Sequence, residues 1–431
     1  MDRYFGIAAQ GSTIRIELMA GLTTFLTMAY ILFVNPLILG EAGLDKGAVF
    51  VATCLASAFG TALMGLLSNY PLALAPGMGL NAYFTYGVVL GMHQPWQVAL
   101  GAVFLSGILF LVLSVTRLRE WIVNGIPHSQ KLAISAGIGL FLGIIALKNA
   151  GLIAPSKETY LTLGDVRAPP ALLAALGFVV MVALDARKVP GAILVAVLGV
   201  TVLGIALGVS PFGGVMAPPP SLAPLFFKLD LAGALNLGAA TVIFAFFFVD
   251  LFDSTGTLIG VAHRAGFIQP DGTIPRLRRV LISDSIAIMV GAVLGTSTVT
   301  SYIESAAGVK AGGRTGLVAL AVAALFLVSL MLAPLAGSVP AYATAPALLY
   351  VACIMARGLT EIDWEDPTDY APAVVTALAM PLTFSIANGI AFGFITYVAT
   401  KLLAGKFRQV GLTMIVLALL FAVRYAWLSN V

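Results

Sequence analysis

Two acidic residues follow a long uncharged stretch of this sequence. Residues 231–249 carry no charge, and Asp250 and Asp253 then follow three positions apart in FFFVDLFDSTG, residues 246–256. This spacing places both carboxyl groups on one face of a helix. A charged Asp at the centre of a bilayer costs roughly 2.5–3.5 kcal/mol on insertion scales, so the pair is expected to face a cavity or polar partners. Carboxyl groups in such a place can bind a ligand or carry a proton.

A third acid and an amide occur in two irregular apolar stretches. Asn81 lies in PLALAPGMGLNAYFTYGV (71–88), where proline and glycine interrupt any helix, and Glu304 lies in the β-prone GTSTVTSYIESAAG (295–308). Irregular backbone at membrane depth is tolerated only where protein or a water-filled cavity satisfies its polar groups. A matching pair of interrupted segments is the sequence pattern that indicates a transporter's binding site.

Together these residues would form a site with three carboxyl groups and one amide. Carboxylates accept hydrogen bonds from ring N–H groups, whereas the amide and main-chain N–H groups can meet ring nitrogens and carbonyl oxygens. The pattern therefore favours a flat heterocycle rich in N–H donors and disfavours an anionic substrate. No zinc spacing and no phosphate-binding loop occurs, so neither a metal nor a cofactor is expected.

Each of these residues also has a structural explanation, which the sequence leaves open. Asp250 and Asp253 could lie at a helix end, Glu304 could pair with Lys310, and Asn81 could cap a helix after the glycine break. The run Phe246–Phe248 is better explained by packing than by stacking on a ligand. Three further polar residues near the ends of apolar stretches are expected at the membrane interface: Glu17, Asn35 and Glu41.

The composition is that of a polytopic membrane protein. Of the 431 residues, 60% are hydrophobic and 10% charged, against about a quarter charged in soluble domains. The mean hydropathy is +1.02, and the uncharged runs have the length of membrane helices, not of barrel strands. The net charge of +4 is explained by cytoplasmic loops, so nucleic-acid binding is not expected.

Fourteen apolar stretches are long enough to span a membrane. They cover residues 16–39, 48–68, 71–90 (segment 3), 95–116, 131–150, 169–186, 190–207, 231–262, 277–295, 296–312 (segment 10), 313–336, 338–357, 371–386 and 387–404. A further run, 410–428, could span or lie along the interface. Lys and Arg predict a cytoplasmic N-terminus in a multi-pass protein of the cell (inner) membrane, although the acidic loop 361–369 does not fit this pattern. Seven spans plus seven suggest two inverted repeats.

The chain resembles the nucleobase–cation symporter family 2, also called nucleobase–ascorbate transporters. Within it, the chain is most similar to the AzgA-like branch of adenine, guanine and hypoxanthine permeases. Five stretches carry the resemblance: MAYILFVNP (28–36), APGMGLNAYF (75–84), FFVDLFDSTGTLIG (247–260), TSTVTSYIESAAGVKAGGRTGL (296–317) and MPLTFSIANGIAFGF (380–394).

The resemblance implies an all-α fold of 7+7 inverted repeats, with short β-strands in segments 3 and 10. It also implies a core domain (residues 1–116 and 231–336) that moves like an elevator against a gate domain (117–210 and 337–431), in a homodimer. In the matching positions, a purine base would be bound by Asn81, Asp250, Glu304 and the main chain at Ile303. Proton coupling and transport would involve Asp253, Asp250 and Glu304.

The sequence thus predicts a proton-coupled purine transporter, not an enzyme. Two rival transporters remain: a cation/proton antiporter that uses Asp250 and Asp253, and an anion transporter of the same fold, for which a basic or neutral site would be expected. An intramembrane aspartyl protease would need its two acids on separate helices, whereas Asp250 and Asp253 share one.

Overall fold

The computed structural model describes residues 2–116, 125–235, 237–267 and 274–427. Most of this part of the chain is helical. Eight of its helical stretches are long and apolar enough to cross a membrane, and three shorter apolar helices occur beside them. The protein is therefore an all-α polytopic membrane protein, as its composition predicts.

The first half of the chain begins with a short helix, Asp2–Phe5. The following elements then occur in order: α1 (Ile14–Met28), α2 (Ile31–Glu41), α3 (Lys46–Ser68), β1 (Leu74–Pro76), α4 (Met78–Ala82), a π-helical segment (Tyr83–Gly91), α5 (Trp96–Val115), α6 (His128–Asn149), β2 (Ile153–Ser156), β3 (Tyr160–Leu163), α7 (Pro169–Ala186) and α8 (Ala192–Ala206).

The second half begins with a short helix, Leu231–Ala234. Its main elements are α9 (Leu237–Ala265), α10 (Leu277–Leu294), β4 (Val299–Ser301), α11 (Ser305–Lys310), α12 (Gly316–Ser329) with a short helical extension (Ala333–Ser338), α13 (Ala341–Ala356), α14 (Pro367–Leu382), α15 (Ile386–Leu403) and α16 (Leu412–Trp427).

Segments 3 and 10 each contain a short strand, and these two strands pair with each other. β1 and β4 are antiparallel and fully buried, with Leu74 opposite Ser301 and Pro76 opposite Val299. Each strand is followed by a short helix, α4 or α11. Proline disfavours a continuous helix in segment 3, and the β-branched residues of segment 10 favour extended chain. The pairing satisfies backbone groups that would otherwise be unpaired inside the membrane.

The helices pack in two groups. The first group consists of α1–α5 and α9–α12, which surround the paired strands, and the second consists of α6–α8 and α13–α15. Contacts between the groups include those of α4 and α9 with α6, of α9 with α15, and of α1 with α8. At one contact between α4 and α6, a Cβ on Gly79 would come within 2.5 Å of the Ile138 side chain, so glycine is required for this close approach.

The first apolar stretch forms one helical span, as the sequence predicts for residues 16–39, with a turn in its middle. The span covers Ile14–Glu41, in which helix α1 ends at Met28, the chain turns at Ala29 and Tyr30, and α2 begins at Ile31. The side chain of Tyr30 is buried at this turn.

Two polar residues that the sequence places near the ends of spans, Glu17 and Asn35, are buried against other helices. Glu17 accepts hydrogen bonds from the main-chain N–H groups of Arg314 and Thr315, at 2.9 and 3.1 Å, just before α12 begins. Asn35 donates to the hydroxyl groups of Thr53 and Thr296, at 2.8 and 2.9 Å. Glu17 is favourable there because its carboxylate meets unpaired N–H groups at a helix N-terminus. Asn35 links α2 to α3 and to segment 10.

The run 410–428, which the sequence leaves unplaced, forms helix α16 against α15. Near the end of α16, the Tyr425 hydroxyl donates to Asn388 Oδ1 at 2.8 Å, at the start of α15. Phe421, earlier in α16, lies against Phe394, later in α15, with ring centroids 6.2 Å apart. The two helices therefore run antiparallel. On its other side Phe421 meets Phe244 of α9 at 5.9 Å, so α16 touches both helical groups.

A buried and a partly buried lysine pair with two acids of the acidic loop 361–369, Asp366 and Asp369. Lys401 is 1% exposed and lies 3.2 Å from Asp366 and 2.7 Å from Asp369. Lys406 lies 2.6 Å from Asp366, and its hydrogen bond is the main reason that the pKa of Asp366 lies well below its usual range. These lysines come from α15 and the turn after it, which explains how an acidic loop is accommodated.

Candidate substrate-binding site

The predicted site residues are arranged around the paired strands. Asn81 lies on α4, which follows β1, and Ile303 and Glu304 follow β4. Asp250 lies near the middle of the 29-residue helix α9, which packs against β4. The structure thus brings both irregular segments and the acidic helix to one place. The side chain of Asp253 lies outside the described side chains, so its pairing with Asp250 remains a prediction.

Asp250 is a buried residue in mid-helix, with 1% of its surface exposed. The Ser254 hydroxyl lies 3.3 Å from Asp250 Oδ1, one helical turn along α9. The same hydroxyl lies 2.7 Å from the Thr300 hydroxyl of β4, which links the acid to segment 10. A position at the end of the helix, which the sequence left open, is therefore excluded for Asp250.

Asp284 is a further buried acid that the sequence analysis missed. Ser254 Oγ donates to Asp284 Oδ2 at 2.7 Å, and Ser301 Oγ donates to Asp284 Oδ1 at 3.2 Å. One hydroxyl group, that of Ser254, thus lies between the carboxyl groups of Asp250 and Asp284. The signal was available, because an ionisable residue inside the apolar span 277–295 is a functional-site candidate on the same grounds as Asp250.

Glu304 accepts a hydrogen bond from Tyr30, which lies at the turn between α1 and α2. The Tyr30 hydroxyl donates to Glu304 Oε1 at 2.6 Å. The described side chains include no ion pair between Glu304 and Lys310, so that alternative is not observed. Beside it, Ile303 is 43% exposed although it lies only two residues after a buried strand.

Asn81 is completely buried, and only one end of its amide has a described partner. Ser297 Oγ donates to Asn81 Oδ1 in a short hydrogen bond. The Nδ2 group has no hydrogen-bond partner among the described residues. Gly77 is the residue that precedes α4, so Asn81 is not a helix cap. The Nδ2 group is therefore a buried donor that a bound molecule could meet.

The aromatic residues before Asp250 pack inside the first helical group. The Phe246 ring meets Tyr83 edge-to-face at 5.0 Å, and Phe247 meets Phe110 at 5.9 Å. Both phenylalanines are buried. Packing, the explanation favoured from the sequence, is therefore what the structure shows for this run.

A protein-family model described as a permease family, Xan_ur_permease, matches residues 15–392. The chain belongs to this family. The match covers both irregular segments and the acids Asp250, Asp253, Asp284 and Glu304. It bears out the resemblance to nucleobase–ascorbate transporters. This permease is accordingly a membrane transporter and not an enzyme.

Three relatives match the permease along its whole length. A putative permease of Methanocaldococcus jannaschii is 52% identical, covering 100% of this chain and 99% of the relative. The adenine permease AdeP of Escherichia coli is 47% identical, with 100% and 96% covered. The guanine/hypoxanthine permease PbuG of Bacillus subtilis is 43% identical, with 100% of both chains covered.

Solved structures support the same fold at much lower identity. The transmembrane domain of the cyanobacterial bicarbonate transporter BicA superimposes with a TM-score of 0.64 at 17% identity, covering 89% of this chain and 97% of that one. At this identity the likeness shows a shared transporter fold.

Proposed function

We propose that this permease takes up purine nucleobases (adenine, guanine and hypoxanthine) across the cell membrane in symport with protons. The observation that carries the proposal is the meeting of Asp250, Glu304 and Asn81 at two paired strands inside a membrane protein. Relatives that match the whole chain are named for purines. Buried acceptors of this kind suit a base that is rich in N–H groups.

In this proposal each side chain has a distinct task. Asp250 and Glu304 accept hydrogen bonds from ring N–H groups, while the buried Nδ2 group of Asn81 donates to the ring. The main chain at Ile303 contacts the ring, and the exposed Ile303 side chain lies beside it. Tyr30 donates to Glu304 and so fixes the direction in which this carboxylate points.

We assign the two helical groups to a moving core and a static gate. The core comprises residues 1–116 and 231–336, and the gate comprises 117–210 and 337–431. Gly79 of the core packs closely against Ile138 of the gate. An elevator-type movement of the core past the gate would open the site first to one side of the membrane and then to the other, which is the basis of alternating access.

Proton coupling follows from the energy of moving a charged core. An ionised carboxyl group at membrane depth costs roughly 2.5–3.5 kcal/mol on insertion scales. Binding of a proton at Asp250, Asp253 or Glu304 removes one such charge, so the core that carries base and proton crosses more readily than the empty core. Ser254 would connect this group to Asp284.

The orientation and assembly belong to the same proposal. The distribution of Lys and Arg favours a cytoplasmic N-terminus in the inner membrane. The family resemblance favours a homodimer. Neither statement affects the assignment of the site.

Two alternatives differ in what they would transport. A cation/proton antiporter would use Asp250 and Asp253 without an organic substrate. An anion transporter would share the fold of BicA. However, the carboxyl groups of Asp250, Asp284 and Glu304, which are buried or partly buried near the paired strands, would repel an anion.

The test is uptake of radiolabelled hypoxanthine into proteoliposomes with an imposed pH gradient. We expect saturable uptake that a protonophore abolishes and that other purines compete for. Uptake that is insensitive to the protonophore would refute the coupling, and the absence of saturable purine uptake would refute the function. Sodium-driven proton movement without any purine would support the antiporter.

A further inference from the structure

Two of the connections between core and gate cross side by side. The first connection (residues 207–230) leads from α8 to α9, and the second (residues 330–340) leads from α12 to α13. On the gate side, Ser210 Oγ lies 3.0 Å from the Tyr342 hydroxyl of α13. On the core side, the main-chain N–H of Gly213 donates to Ser338 Oγ at 2.8 Å. The two connections are therefore joined to each other at both ends of the crossing.

After Gly213, the first connection is bound to the core. Three main-chain hydrogen bonds hold it there: Ala217 N–H to Met331 O at 3.1 Å, Phe227 N–H to Val293 O at 2.8 Å, and Asp230 N–H to Gln97 O at 2.9 Å. These acceptors belong to the turn after α12, to the end of α10 and to the start of α5, which are all parts of the core. From Gly213 onwards the first connection is thus attached to the core.

Each connection crosses from gate to core within two residues. The helix Ala333–Ser338 packs against α2 and α3, so the core continues to Ser338. Helix α13 of the gate begins at Ala341, which leaves only Val339–Pro340 between them. In the first connection, only Pro211–Phe212 separates the contact of Ser210 from that of Gly213. Three extended residues span at most about 10 Å, so core and gate stay close together at this place.

A longer connection joins core and gate at the other end of α5. It comprises residues 116–127 between α5 and α6, of which the structure describes only part. Helix α5 has 20 residues and is therefore about 30 Å long. The first connection is bound at the start of α5, and the longer connection leaves from its end. Core and gate are thus closely tied at one end of the core helices and have more freedom at the other.

We propose that the core pivots against the gate about a hinge formed by Pro211–Phe212 and Val339–Pro340, which the hydrogen bond from Gly213 to Ser338 holds together. The core then moves least at this hinge and most at the opposite end of its helices. Proline fixes one backbone angle in each segment of the hinge, which limits the directions in which it bends. The inference rests on the alternating access of the proposed function, to which it adds the place about which the core turns.

The first test removes the hydrogen bond that joins the two segments of the hinge. Ser338 Oγ also donates to Pro334 O in its own helix, so the matched control is Ser329→Ala, which loses only a bond of this kind, to Leu325 O. We expect Ser338→Ala to bind hypoxanthine with wild-type affinity but to take it up about tenfold more slowly, because one hydrogen bond that guides the core is lost. Ser329→Ala should keep both affinity and rate. Equal uptake rates in the two variants, or a loss of affinity in Ser338→Ala, would overturn the inference.

The second test uses disulfide cross-links in a Cys353→Ser background, because Cys353 is exposed. A Cβ on Gly213 would lie 3.3 Å from Ser338 Oγ, and a Cβ on Gly79 would lie 3.9 Å from Ile138 Cβ, so cysteines at either pair can be joined. Oxidation of Gly213→Cys with Ser338→Cys should raise uptake, because the disulfide replaces the lost hydrogen bond. Oxidation of Gly79→Cys with Ile138→Cys should abolish uptake, because it fixes the core to the gate. Uptake that falls on oxidation of the first pair would overturn the hinge, whereas full uptake by the oxidised second pair would refute the movement of the core itself.

The third test measures where the core moves, by spin labels on cysteine pairs with and without hypoxanthine. One pair lies near the hinge, at Leu207 of the gate and Met331 of the core. The other lies at the opposite ends of α10 and α13, at Arg278 and Arg357. We expect the distance between the labels to change less at the first pair than at the second. Equal changes at both pairs would overturn the hinge, and unchanged distances at both would count against the proposed alternating access.

Discussion

The Ser254 hydroxyl lies 2.7 Å from Asp284 Oδ2 and 3.3 Å from Asp250 Oδ1. A hydroxyl group has one proton to donate, so it can serve only one of two carboxylates at a time. A change in the protonation of Asp250 therefore changes which hydrogen bonds Ser254 makes. This arrangement joins the proposed base-binding acid on α9 to a second buried acid on α10.

Neutralising Asp284 should separate binding from coupling. In Asp284→Asn, hypoxanthine should still bind and exchange between the two sides of the membrane, because Asp250, Glu304 and Asn81 remain. Accumulation driven by a pH gradient should fall by about tenfold or more, since the second acid of the network no longer ionises. The measurement is uphill uptake compared with counterflow in the same proteoliposomes. Unchanged accumulation would show that Asp284 has no part in coupling.

Neutralising either of the two proposed base-binding acids should weaken the binding of hypoxanthine. Asp250→Asn and Glu304→Gln each replace an ionic acceptor by an amide of similar size, and hypoxanthine affinity should fall about ten- to a hundredfold. Equilibrium binding of radiolabelled hypoxanthine measures the loss. Asp165→Asn, in an exposed loop, is the control and should bind normally. Wild-type affinity in either site variant would remove that residue from the site.

Removal of the Tyr30 hydroxyl should weaken binding moderately. Tyr30→Phe deletes the 2.6 Å hydrogen bond to Glu304 but retains the buried ring. Because one hydrogen bond to a charged group contributes roughly 1.5–3 kcal/mol, affinity should fall at least about tenfold. Thermal stability in detergent serves as the control for packing. A variant with full affinity would indicate that Glu304 does not need Tyr30 for its orientation.

The lysine network at the acidic loop should matter for stability and not for binding. Lys401→Met leaves Asp366 and Asp369 with fewer partners, so the melting temperature should drop. Lys148→Met is the control, because Lys148 is 56% exposed and its contact to Glu41 is 4.0 Å long. Equal melting temperatures for the two variants would contradict this role of Lys401.

The same network predicts a pH dependence with a definite sign. The pKa of Asp366 is lowered in the folded protein, mainly by its hydrogen bond to Lys406. Its contribution is therefore fully present above about pH 4, the usual pKa of Asp in an unfolded chain, and is lost as pH falls through the lower folded value. Melting temperatures of wild type and Lys406→Met should converge in acid. A gap that widens in acid would contradict the assignment.

Local sequence pattern predicted the elements of the fold but not the contacts between distant ones. Interrupting prolines and β-prone residues were sufficient to identify segments 3 and 10 as irregular. Burial of Asp250 followed from its place in an apolar run. By contrast, Tyr30 and Glu304 are 274 residues apart, and their contact depends on the packing of separate helices.

Contacts between distant residues account for what the sequence did not predict. Glu17 meets the unpaired N–H groups before α12 across 298 residues of sequence. The hydrogen bond from Ser254 to Asp284 likewise joins two helices, although Asp284 itself could have been identified as an ionisable residue inside an apolar span. The partner of the Asn81 amide oxygen, Ser297, is likewise 216 residues away. No local periodicity encodes such partners.

The central claim is that a purine base binds between Asp250, Glu304 and Asn81. The most direct measurement is a structure of the wild-type protein determined with hypoxanthine. The account predicts density for a planar bicyclic ligand beside the paired strands β1 and β4, with both carboxylates and the Asn81 amide within hydrogen-bond distance. Ordered ligand at any other place, with these three side chains making no contact to it, would contradict the account.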